Sequence, residues 1–222
     1  CPPFRSRDHA LALARRHGIY GFCFYHYYFH GKRLLEKPVN MLLEQPEIDI
    51  NFCLCWANEN WTRKWDGADH DILISQVHSP EDDIEFIKDI VRYMRDPRYI
   101  KVNGKPVLMV YRPLLLPWPK ETFSRWRDYC RQAGIGEIVI WAARGCFNEQ
   151  AGLGLEDVTE AEVEFPPHLT APLKWIRPDR VRQNRLKIPM VDYPALVQNI
   201  MAGQAVADKL SYRVYRTAML GW

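Results

Sequence analysis

None of the six cysteines, Cys1, Cys23, Cys53, Cys55, Cys130 and Cys146, forms a Cys-x-x-Cys pair, which removes the usual spacing of a zinc or thiol-redox site. Cys23, Cys53 and Cys55 sit inside apolar runs and read as small buried hydrophobes of a reduced, cytoplasmic protein. No apolar run approaches the ~20 residues of a membrane span. The opening Cys1-Pro2-Pro3-Phe4-Arg5 has neither the apolar core nor the cleavage site of a signal peptide. Net charge is only +3, and the nearest approaches to a basic stripe, 125–131 and 177–185, are broken by acids and apolar residues, so no nucleic-acid partner is expected. No Gly-rich phosphate turn follows any apolar run. Asp-x-Asp spacing occurs only in Asp69-His70-Asp71, away from a strand end. Internal repeats, low-complexity tracts and linkers are lacking too, so residues 1–222 are expected to form one domain.

What is abundant is aromatic. Eight Trp, eleven Tyr and nine Phe make up 13% of the chain, many of them where apolar runs end. Those runs alternate with helical patterns. Residues 8–17, 38–45, about 80–95, 119–133 and 194–202 suit helices. Short continuous apolar runs near 19, 51, 107, 138, 161 and 217 suit strands buried on both faces. Asn103-Gly104 between 99–102 and 107–111 is a hairpin-turn signal. Helices alternating with buried strands imply an α/β fold with a parallel sheet, open or closed into a barrel.

Ligands of such sheets bind beyond the carboxyl ends of the strands. The residues there are His26 and Tyr27 after the first run, and Trp56, Asn58, Glu59, Asn60, Trp61, Arg63 and Asp66 after the second. Later runs supply Tyr111 and Arg112, Arg144, Glu164 with His168, and Trp222. This mixture suits sugars, because aromatic planes cover pyranose C–H faces while amides, guanidinium groups and carboxylates take the hydroxyls. Glycosyl chemistry also needs carboxylates. Glu59, set between two asparagines and two tryptophans, is the leading candidate, with Glu164 second. The competing reading makes Glu59 an acid that pairs with Arg63 and shapes the loop, and Glu164 a rim salt bridge. Arg112 and Arg144 read as clamps for a phosphate or acidic sugar, or as partners of Glu59 and Glu164. His26 and His30 leave a strand at a spacing that does not converge, so His26 is expected to hydrogen-bond and His30 to be structural. No three-ligand cluster is visible, and neither a metal nor another cofactor is expected.

The segments Gly21–Pro38 and Phe52–Gly67 resemble those of the WbsX-type glycosyltransferase family, also described as a glycoside hydrolase family 99-like domain. Asp96-Pro97-Arg98-Tyr99, Asn103-Gly104-Lys105-Pro106, Tyr111-Arg112-Pro113, Glu164-Phe165-Pro166-Pro167-His168 and Met219-Leu220-Gly221-Trp222 follow in the family's order. The resemblance implies a (β/α)8 TIM-type barrel related to endo-acting α-mannosidases. It also implies a bacterial role in lipopolysaccharide or O-antigen assembly, in the cytoplasm or peripheral to the membrane. Family members begin with a strand of the type Tyr-x-Pro-Gln-Phe-His and continue into one ending Trp-Asn-Glu-Trp-x-Glu. Both stretches are missing here, so the six strands are expected to be the second to seventh of an incomplete barrel. In hydrolase relatives the two glutamates of the last motif resemble the catalytic pair, which would then lie outside this sequence. Three functions stay open: glycosyl transfer from a nucleotide sugar, retaining endo-hydrolysis of an oligosaccharide, and a non-catalytic sugar-binding module.

Overall fold

The computed structural model describes residues 13–63, 68–144, 154, 155, 157–164, 198 and 213–215. Residues 1–222, expected as one domain, divide into two compact units, Cys1–Trp141 and Ala142–Trp222. The first unit opens with helical residues 13–16 closed by Gly18 at φ 73°. The rest of the helix expected from residue 8 lies outside the described residues.

The apolar run at 21 becomes β1 (Gly21–Phe29), and β2 (Lys32–Leu34) folds back on it antiparallel, with Phe29 opposite Lys32. Their turn is His30-Gly31 at φ 43° and 81°, the doubly positive geometry whose twist matches a tight hairpin. Helix α1 (Lys37–Glu44) starts at a first-turn proline, and β3 (Asn51–Trp56) follows, parallel to β1 from Gly21 opposite Asn51 to His26 opposite Trp56. Gly21 permits that approach, because a Cβ there would stand 2.4 Å from the Asn51 carbonyl oxygen. A short hairpin of β4 (Trp61–Arg63) and β5 (Ala68–Ile74) then occupies what the sequence suggested was a long polar loop.

Helix α2 (Pro80–Met94) begins as its sequence demands. The Ser79 hydroxyl accepts from the Asp82 N–H at 3.1 Å, Pro80 sits in the first turn, and Glu81, Asp82 and Asp83 meet the positive end of the helix dipole. The Asn103-Gly104 turn, φ 51° and 78°, joins β6 (Lys101–Val102) to β7 (Lys105–Val110), and β7 runs parallel to β3. Helix α3 (Pro119–Gln132) is followed by Gly134 at φ 75°.

Side chains alternate across a strand, and β1 and β3 use the two faces differently. His26, Tyr28, Phe52 and Trp56 face the helices. Trp56 lies 4.3 Å, ring to ring, from Phe86 of α2 and 5.7 Å from Trp126 of α3. The α1 residue Asn40 accepts a 2.8 Å hydrogen bond from the Tyr93 hydroxyl of α2, and Tyr93 in turn packs edge-on to His26. Helices α1, α2 and α3 therefore share one side of the parallel sheet, as a barrel requires and a doubly wound sheet does not.

The chain leaves the first unit within β8 (Val139–Arg144). In the second unit β9 (Ala161–Glu164) and β10 (Arg213–Tyr215) pair in parallel, Arg213 opposite Ala161 and Tyr215 opposite Val163. Ala142 packs there on Leu155 and Val158. The strand expected from 217 and most of the helix expected at 194–202 fall outside the described residues. The strands near 21, 51, 105, 139 and 161 stand where the sequence placed them.

Candidate functional site

At the carboxyl ends of β1, β3 and β7 the first unit holds a cleft of about 330 Å³. Tyr25 and Tyr27 of β1 form one wall. Trp61 and Thr62 of β4, with Ala57, Glu59 and Asn60 before them, form another, and Tyr111 after β7 completes it. Tyr111 stands edge-on to Tyr25 at 5.6 Å and 89°, while Tyr27 leans on Trp61 at 5.5 Å. Burial is the main cause that raises the phenol pKa values of Tyr25 and Tyr27, and Cys55 adds to it. Both therefore stay protonated hydrogen-bond donors at neutral pH.

The acid of the cleft is held from below. Asn58 is buried, and its amide grips the Arg112 backbone twice: Nδ2 donates to the Arg112 carbonyl and Oδ1 accepts from the Arg112 N–H, each at 2.8 Å. That clamp joins the loop after β3 to the loop after β7. It starts the Arg112 side chain beside Glu59, and one guanidinium nitrogen reaches the Glu59 carboxylate at 2.7 Å. Glu59 keeps 29% exposure and Arg112 18%, so the pair borders solvent. On the far wall, Asn60 Oδ1 accepts from the Gln76 N–H at 2.7 Å, while the Gln76 side-chain amide donates to the Tyr28 carbonyl at 3.1 Å.

Several expectations change. His26 does not reach the cleft: it is 2% exposed, turned to the helices, and its Nε2 lies 3.0 Å from Asp89 of α2. Trp56 is likewise core, with its indole N–H donating to the Tyr28 carbonyl at 3.4 Å. Both have even numbers on strands whose odd positions, Tyr25 and Tyr27, face the cleft. Asn58 is a clamp and is not offered to a ligand. Among the described side chains Glu59 pairs with Arg112; the side chain of Arg63 lies outside the described residues. Tyr27, Glu59, Asn60, Trp61 and Tyr111 do come together, with Arg112 behind them. In the second unit Arg144 is buried 3.7 Å from Glu162, and Glu164 is the last residue of β9. The Glu164 side chain, Asp66, His168 and Trp222 lie outside the described residues. Tyr25 and Thr62 were missed, and for Tyr25 the signal was available: it shares its face with Tyr27. Among the described residues no group of three or more His, Cys, Asp or Glu is arranged to hold a metal, and no helix is long and apolar enough to cross a membrane.

A parallel sheet with one-sided helices and a cleft at the strand ends defines an α/β fold of barrel type. Residues 4–222 match the sequence profile of the glycosyltransferase WbsX family, and the chain belongs to that family. It is 41% identical over 211 residues to an uncharacterized protein, WxcX, of Xanthomonas campestris pv. campestris, covering 95% of this chain and 29% of that protein. WxcX of strain B100 is 48% identical over 161 residues, 72% of this chain and 23% of the relative. The chain thus spans under a third of the length of these relatives. Among solved structures, a "Glycoside hydrolase-like protein" superposes with a TM-score of 0.53 at 14% identity, covering 94% of this chain and 60% of that one. That likeness places the fold with the TIM-barrel-like glycoside hydrolase folds.

Proposed function

We propose that this chain is the sugar-handling part of a glycosyltransferase in bacterial surface-polysaccharide assembly, lipopolysaccharide or O-antigen, working on the cytoplasmic side. Family membership supports the class of reaction. The observation that carries the site is the cleft itself: Tyr25, Tyr27, Trp61 and Tyr111 around one arginine-held carboxylate. Its volume lies at the small end of the ~300–1,000 Å³ range of ligand pockets, which suits one sugar unit with its neighbours left in the open. Aromatic faces cover the apolar side of the ring, and the phenol hydroxyls and the Asn60 amide reach its hydroxyls. Glu59 then stabilises positive charge growing on the sugar ring or moves a proton, and Arg112 fixes its orientation.

A second reading, a retaining endo-acting glycoside hydrolase, is favoured by one feature. The arginine best placed to grip a nucleotide diphosphate, Arg112, is engaged with Glu59. Under either reading Glu164 is proposed as a second acid.

Glu59→Gln in the whole protein tests the assignment. It keeps the shape while removing the charge, so kcat should fall about 10²-fold or more with KM little changed. The same change at Glu36, the residue preceding α1, should be silent. Normal kcat in the Glu59 variant would make Glu59 a positioning residue and move the chemistry elsewhere.

A further inference from the structure

Three thiols share the cleft-side face of the β1–β3 pair, and the proposed sugar chemistry uses none of them. The parallel register sets Cys23 opposite Cys53 and Tyr25 opposite Cys55. Alternation then puts all three cysteines on the face that carries Tyr25 and Tyr27. Cys23 keeps solvent access, whereas Cys53 and Cys55 are buried. Neighbouring strands lie about 4.8 Å apart, inside the ~4.4–6.8 Å Cα separation that a disulfide spans. The hydrogen bond from Cys53, and next that from Cys55, hold the Cys23 thiol far below its ordinary pKa. The same bond to Cys23, together with burial, pushes Cys53 up, and burial foremost pushes Cys55 up. Cys23 is thus the accessible thiol of the three, and its neighbours favour its ionised form over their own.

We propose that Cys23, the accessible thiol of this face, is the one that hydroperoxides oxidise, and that it closes a reversible cross-strand disulfide with Cys53, its register partner. The Cys23 sulfur attacks one peroxide oxygen, the O–O bond breaks, and hydroxide or alkoxide leaves, giving a sulfenic acid. The Cys53 sulfur then attacks the Cys23 sulfur; the S–S bond forms, the S–O bond breaks, and the Cys53 proton leaves with the oxygen as water. Two electrons pass from the two thiols to the peroxide, and an external dithiol returns them.

The test has two arms on the intact chain. Treated with stoichiometric hydrogen peroxide, the protein should lose two hydrogens in mass, reversibly with dithiothreitol. The peptide containing Cys23 should become linked to that containing Cys53. Cys23→Ser and Cys53→Ser should abolish the link, and Cys55→Ser should keep it. The second arm needs no variant. Alkylation of Cys23 by iodoacetamide should rise less steeply between pH 6 and pH 8 than the roughly 70-fold of a thiol of pKa ~8.5. A Cys23 rate that climbs with pH like an ordinary thiol overturns the proposal. So does oxidation that stops at a sulfinic acid without a link, or a link that survives Cys53→Ser.

Discussion

Asn58 commits both ends of its amide to the backbone of Arg112, and through that grip two strand-end loops hold one geometry. Asn58→Ala removes the partner of the Arg112 N–H, while the Arg112 carbonyl still accepts from the Leu115 N–H at 3.0 Å. Such a loss costs ~1–3 kcal/mol, so the urea midpoint should fall by the equivalent of about 1–2 kcal/mol. A change under ~0.5 kcal/mol, the scale of a neutral surface substitution, would show that the clamp is not needed. The same residue shows how far the sequence could be read. The strand-end run His26 to Arg112 pointed at the right chain segments, and Glu59, Trp61 and Tyr111 do meet. Period two was the unused information: if Tyr27 faces the cleft, then His26 cannot, and its register partner Trp56 turns away with it. Asn58, by contrast, could not be told from a ligand residue, since an amide that binds sugar and one that binds backbone have the same composition.

Between elements, Arg98 ties α1 to the loop that leads into β3. Its guanidinium makes a two-point pair with Asp96 at 2.9 and 2.7 Å and donates to the carbonyls of Leu42, Gln45 and Ile48, so it caps the end of α1 and the loop leading to β3. The hydrogen bond from Arg98 is the main reason the Asp96 carboxyl lies below its ordinary pKa. A depressed carboxyl stabilises the fold fully above the unfolded value of ~3.9 and loses that contribution as pH falls through the folded value. Asp96→Asn should therefore cost about 1–3 kcal/mol at pH 7, and its deficit against the native protein should close below pH ~4 in chemical denaturation. A deficit independent of pH would place the effect in shape and not in charge. Among the elements, α2 and the Asn103-Gly104 hairpin were legible because their caps and turn residues act locally. The β1–β2 turn uses His30-Gly31, where a histidine at φ 43° takes the place usually held by Asn or Asp, so its signal was weaker. The β4 and β5 strands flank Asp66-Gly67, a turn dipeptide that went unused, and Trp61 packs on Tyr27 and Phe29.

At the scale of the molecule, the parallel α/β class followed from helices alternating with short apolar strands, and the one-sided helices of the first unit agree with it. The division into two units had no signal in composition, because β8 carries the chain from one to the other without a linker. Sugar binding by the aromatic cleft of the first unit is tested by isothermal titration of the whole protein with mannose-containing oligosaccharides and nucleotide sugars, repeated for Tyr27→Ala and for Tyr20→Ala, just before the opposite end of β1. Saturable binding to at least one of these ligands is expected. Tyr27→Ala should weaken it at least about tenfold, or ~1.4 kcal/mol, and Tyr20→Ala should leave it unchanged. Binding indifferent to Tyr27→Ala, or no binding by any sugar in either set, would contradict sugar binding by this cleft.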